Sequence, residues 1–217
     1  MLDEEKIKFV LFGLDLLEPM AFVTNLLIVA TCIYSYNSTK NIRSNYAKYW
    51  RLFFMTFGIA AFCGGLSHIF WNYWWFYGKI PSWSIGVLSS IFAAFAMLEV
   101  SILRPTTKTR WQWVIILKGV LVLTIAYANW KFFFIAVDTM VTFIGFCGFY
   151  GYYLWRKGYA HIRYVVMGVL IMLPSVFLYL LKIDLHQWMN REDLSHFLMV
   201  AGIYLFGLSV RKQFAVQ

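Results

Sequence analysis

Asn190, Glu192, Asp193 and His196 fall within seven residues of one another. On a helix, Glu192 and His196 are i, i+4 neighbours and Asp193 and His196 are i, i+3 neighbours, so carboxylate and imidazole share a face. With His68 from another segment, His196 and either carboxylate, Glu192 or Asp193, complete a three-ligand set of the kind that holds zinc and keeps the fourth position for water. Such an ion brings its water toward a pKa of about 7 and polarises a carbonyl, which is the chemistry of amide or ester cleavage. Asp193 or Glu192 would relay the proton, and Ser67 stands beside His68. The same residues also read as helix punctuation, with Asn190 or Asp193 as the cap and Glu192 in the first turn. The sequence holds no G-x-S-x-G elbow, H-E-x-x-H, P-loop or Gly-rich dinucleotide fingerprint.

Composition says what must position these groups. The chain is 61% hydrophobic and 13% charged over 217 residues, against roughly 25% charged in soluble domains. The apolar residues are gathered in runs of about twenty, the length that crosses roughly 30 Å of hydrocarbon. Spans are expected near 18–36, 50–73, 82–103, 112–128, 130–154, 161–181 and 194–210, one domain of seven helices, with residues 7–17 as an interfacial helix leading into the first. The first run follows Asp3, Glu4 and Glu5 with no small-residue cleavage site, so no removable signal peptide is expected. Cys32, Cys63 and Cys147 all fall inside spans, an odd set that suits no disulfide framework.

Charge sets the expected orientation. Lys40, Arg43, Lys48, Arg51, Arg104, Lys108, Arg110, Arg156, Lys157, Arg163, Arg211 and Lys212 all sit in the connections of one side, without an acid among them. Lys and Arg resist translocation, so that side is expected in the cytosol, with the N-terminus outside and the C-terminus cytosolic. This explains the net charge of +9 without nucleic acid and makes anionic membrane lipids the natural partners of that face. Trp71, Trp74, Trp75, Tyr77 and Trp83 gather at the opposite side as interface anchors.

Ionisable groups within spans are costly and mark function or pairing. Glu99 and Lys118 match in depth near the cytosolic ends of the third and fourth spans and are expected to form a buried pair. Glu18, Asn25, Ser67, His68, Ser89, Ser90, Asp138 and His196 share the outer half instead, so Glu18, Asn25, Asp138 and Asn190 are expected to support the histidine site.

These outer residues resemble the alkaline ceramidase group and its wider superfamily of seven-helix membrane proteins. Glu18 and Asn25 in EPMAFVTN have that group's E-x6-N spacing, His68 in FCGGLSHIF occupies its second-span histidine position, and HFLMVAGIY from His196 to Tyr204 looks like its seventh-span continuation. Gly64, Glu192 and Lys79 stand where the group's pattern has Ser, His and Asp. The resemblance implies an outward-facing intramembrane zinc site, with Glu192 as the carboxylate ligand, that hydrolyses a lipid amide or ester. Two alternatives stand beside it. One is a non-enzymatic binder, receptor or transporter of a small apolar ligand; the other is a membrane assembly subunit with packing seams at Gly64–Gly65 and in the stretch from Cys147 to Gly151.

Overall fold

A computed structural model describes residues 7–214; Asp3, Glu4, Glu5 and Lys6, read above for processing and orientation, lie outside the described residues. Seven helical rods are long and apolar enough to cross a membrane. The first two are α1 (Pro19–Thr39) and α2 (Asn45–Ile69). The third rod runs from a single turn, α3 (Trp71–Trp74), through a 3-10 turn at Trp75–Gly78 into α4 (Lys79–Val100), with the kink at Trp75, whose φ is 48°. The fourth is α5 (Pro105–Asn129). In the fifth, α6 (Phe133–Thr142) passes through a π-helical stretch, Phe143–Tyr150, into α7 (Gly151–Arg156). A 3-10 turn at Ala160–Ile162, α8 (Arg163–Met172) and α9 (Pro174–Leu180) make the sixth, and α10 (Arg191–Lys212) is the seventh. The seven expected spans correspond one to one with these rods.

Residues 7–17 are not the expected interfacial helix. They form a β-hairpin, β1 (Lys8–Leu11) against β2 (Leu14–Leu17), in antiparallel register from Lys8–Leu17 to Leu11–Leu14. The reason lies in its two-residue turn. Phe12 and Gly13 both have positive φ, 51° and 77°, the backbone that reverses a strand without splaying its partner. The hairpin is tied to the bundle by the Tyr73 hydroxyl, which accepts from Asp15 N at 3.0 Å, and by Asn72, which donates to the Asp15 carbonyl.

α4 is the most enclosed rod and packs most extensively on α2; α1 then bridges α2 and α10, and α10 bridges α1 and α8. Ala93, Ala94 and Ala96 are fully buried, and such small side chains let helix backbones approach. The main core stacks rings from three rods, Trp50, Phe53 and Phe54 of α2, Phe143 of the fifth and Phe206 of α10, with Trp50 and Phe206 centroids 4.9 Å apart. Gly64 and Gly65 pack within the chain, where a methyl on Gly65 would come within 3.1 Å of Asn25 Cβ on α1 and one on Gly64 within 3.1 Å of Ser82 Oγ on α4. Gly151 likewise faces Val166 and Met97.

The tightest helix crossing joins α8 to α10. A methyl on Gly168 would fall 2.6 Å from Phe206 Cε1 and 3.0 Å from the Gly202 carbonyl oxygen, so neither ring nor backbone can yield cheaply. Gly168→Ala is therefore expected to lower stability by about 1–3 kcal/mol. Gly86→Ala, on an α4 face with nothing within 4 Å, should be neutral or stabilising. Thermal unfolding of the two variants in detergent checks the contrast.

Candidate functional site

The beginnings of α1 and α10 and the end of α2 meet at one end of the bundle, and each contributes a carboxylate or an imidazole there. Asn190 caps α10: its side-chain oxygen accepts from the Glu192 and Asp193 amides at 2.8 and 3.1 Å, while Asp193 Oδ2 accepts from Asn190 N at 3.3 Å. This reciprocal box satisfies the first turn and fixes the heading of Glu192, Asp193 and His196. Glu18 occupies the cap position of α1 with φ 48°, a left-handed backbone unusual outside glycine, and its side chain makes no cap hydrogen bond. Its carboxylate turns to α2 instead.

There Glu18 Oε2 lies 2.8 Å from His68 Nδ1, and on the other side of the ring His68 Nε2 lies 3.6 Å from Glu192 Oε2. One imidazole thus bridges two carboxylates from two other helices. A second network stands beside it. Thr24 Oγ1, one turn and a half along α1 from Glu18, is 2.8 Å from His196 Nδ1 and 2.9 Å from Asp193 Oδ1. His196 lies within Coulombic range of His68 and Lys79, and the Tyr179 phenol within range of Glu18, Glu192 and Asp193. A cavity of about 300 Å³ opens at this end, lined among others by Glu18, Asp193, Asp184, His186 and Trp188.

The sequence-read residues thus divide. Glu18, His68, Asn190, Glu192, Asp193 and His196 gather at this end. Ser67 is fully buried and its hydroxyl donates to the Gly64 carbonyl of its own helix at 2.7 Å, so it is spent locally. Asn25 donates to the Ala21 carbonyl at 2.7 Å and packs against the α2 glycines. Asp138 does not join the histidines, and the expected Glu99–Lys118 pair does not form. Lys118 Nζ is held 2.6 Å from Asp138 Oδ1 and donates to Thr142 Oγ1 at 2.6 Å; Ser90 donates to Asp138 Oδ2 at 3.1 Å. Asp138 and Thr142 are i, i+4 neighbours, so α6 offers two oxygens from one face, and the long lysine side chain on neighbouring α5 reaches them. Glu99 instead accepts from Asn45 Nδ2 at 3.5 Å, and its backbone carbonyl accepts from Lys108. Thr24 and Tyr179 were not singled out in the sequence, where a lone Thr or Tyr in an apolar helix carries no signal.

Zinc can be tested against this geometry. Two donors on a tetrahedral ion with bonds of about 2.0–2.1 Å stand roughly 3.4 Å apart, close to the spacing of His68 Nε2 and Glu192 Oε2. The Glu18 contact to the other ring nitrogen is the arrangement that orients metal-bound imidazoles. A third ligand is missing: among the described residues no three His, Cys, Asp or Glu side chains are disposed to hold one ion. The set His68, Glu192 and His196 therefore does not fit a complete zinc centre in this conformation.

The model of a family of unknown function, DUF6962, matches residues 20–214. The chain belongs to that family. The matched stretch takes in Thr24, His68, Glu192, Asp193 and His196, and begins two residues after Glu18. No curated protein matches the chain.

Proposed function

We propose that this DUF6962 member is a multi-pass membrane protein, its basic end cytosolic and its histidine end outward, that hydrolyses an amide or ester bond of a lipid at the junction of α1, α2 and α10. The observation that carries the reading is His68, anchored through Nδ1 by Glu18 at 2.8 Å with Nε2 facing Glu192. In that setting Nδ1–H donates to Glu18 and Nε2 is the basic nitrogen. Nε2 takes a proton from water as the oxygen attacks the acyl carbon, and the imidazolium is stabilised by carboxylates on both sides. The proton then passes to the departing amine or alkoxide, leaving a fatty acid and the free head group. The neighbouring cavity, with its acids and Trp188, suits the polar head of an amphiphile whose chains stay among the apolar rods. Every step rests on the chain's own groups.

A second reading is a lipid binder without chemistry, favoured by the missing third ligand and by Ser67 bonding within its own helix. The two separate when purified protein in liposomes meets a panel of N-acyl and O-acyl lipids. Fatty acid release from at least one of them is the expected result. Saturable binding without release would establish the binder, and elemental analysis of the same sample shows whether zinc accompanies either outcome.

A further inference from the structure

We infer that Thr24 is a positioning residue that fixes the tautomer of His196, leaving Nε2 as its unprotonated nitrogen. Thr24 is 1% exposed and has one proton to give. Three acceptors and one imidazole nitrogen surround its oxygen: Asp193 Oδ1 at 2.9 Å, the Met20 and Ala21 carbonyls at 3.0 and 3.3 Å, and His196 Nδ1 at 2.8 Å. Asp193 is in the first turn of α10, where the helix terminus favours an anion, and its other oxygen already accepts from Asn190 N. An ionised Asp193 can only accept. If Thr24 gave its proton to His196, two oxygens with no proton between them would sit 2.9 Å apart in a buried position, an unpaired contact that costs free energy. The same contact excludes the helix carbonyls as its destination, so the proton goes to Asp193. The Thr24 lone pair then receives Nδ1–H from His196, and Nε2 is left bare.

The consequence is a symmetry between the two histidines. His68 is anchored through Nδ1 by a carboxylate directly, and His196 through Nδ1 by a carboxylate acting across a hydroxyl. Both present Nε2 as the basic nitrogen at the same end of the bundle. That His196 serves the hydrolysis rests on the reading proposed above; its tautomer does not.

The experiment is nitrogen NMR of 15N-histidine-labelled full-length protein in nanodiscs, with the His196 signals assigned by loss in a His196→Gln sample. Wild type is expected to show Nδ1 protonated and Nε2 unprotonated. Thr24→Ser, which keeps the hydroxyl, should preserve that pattern; Thr24→Val, of nearly equal shape, should lose it and lower lipid hydrolysis by roughly 10–100-fold. A wild-type His196 carrying its proton on Nε2 overturns the inference, as does a Thr24→Val spectrum unchanged from wild type. An inactive wild type that keeps the expected pattern removes the hydrolase reading and leaves the tautomer assignment standing.

Discussion

Replacing Asp138 with Asn should destabilise the protein by about 3 kcal/mol or more, the largest effect expected of any single conservative change. Asp138 has a fully buried side chain, and its carboxylate is the counter-charge to Lys118 at 2.6 Å. Without it the ammonium keeps only neutral oxygen partners such as Thr142 Oγ1. A lone lysine in a helix crossing hydrocarbon costs roughly 2.5–3.5 kcal/mol. Exchanging both members of a buried ion pair for apolar side chains of similar volume is often near neutral, so removing both charges together should cost little. Lys118→Met with Asp138→Leu is expected to recover most of the loss, which a double-mutant cycle by thermal or denaturant unfolding measures directly. A double variant as unstable as the summed singles would show that the two side chains are not coupled.

Glu18→Gln is expected to cut lipid hydrolysis by about 10–100-fold while shifting stability by less than about 0.5 kcal/mol. The two readouts part company because Glu18 stands at the cap position of α1 without capping it. Its contact is with His68 Nδ1, and its side chain is 13% exposed. The amide keeps an acceptor oxygen for Nδ1–H but removes the charge that balances the imidazolium formed when Nε2 takes the water proton. A left-handed non-glycine residue also costs of order 1–3 kcal/mol and persists only where the surroundings over-determine it, which fits a carboxylate held for a task. Unaltered activity in Glu18→Gln would return Glu18 to a purely structural place.

The helices were legible because apolar runs long enough to cross a membrane, cut by polar residues at both ends, are written in the sequence. Azimuth is not written there. A helix that faces lipid on one side and apolar neighbours on the other is apolar all round, so no moment reveals which way it is turned. This is why Glu18, His68, Glu192 and His196, read at one depth, do gather, while Asp138, read at the same level, faces Lys118 on another side of the bundle. It is also why Glu99 and Lys118, equal in depth by count, point to different partners. The hairpin escaped notice for a different reason. Its strands are only four residues each and mostly apolar, Lys8 and Asp15 excepted, and only the Phe12–Gly13 turn distinguishes them from an interfacial helix. Thr24 was invisible because threonine in an apolar helix ordinarily spends its hydroxyl on the carbonyl four residues back, and only the folded arrangement brings Asp193 and His196 to that oxygen.

The most direct test of the central claim, that His68 is the base of a lipid-hydrolysing site, is the rate of fatty acid release by wild type and His68→Ala in matched liposomes. The substrate is whichever acyl lipid the wild type cleaves. Loss of a positioned base predicts a fall of roughly 10²–10⁴-fold in the variant, with the seven-helix fold intact by circular dichroism and thermal unfolding. Release within a few-fold of wild type by a folded His68→Ala protein would contradict it.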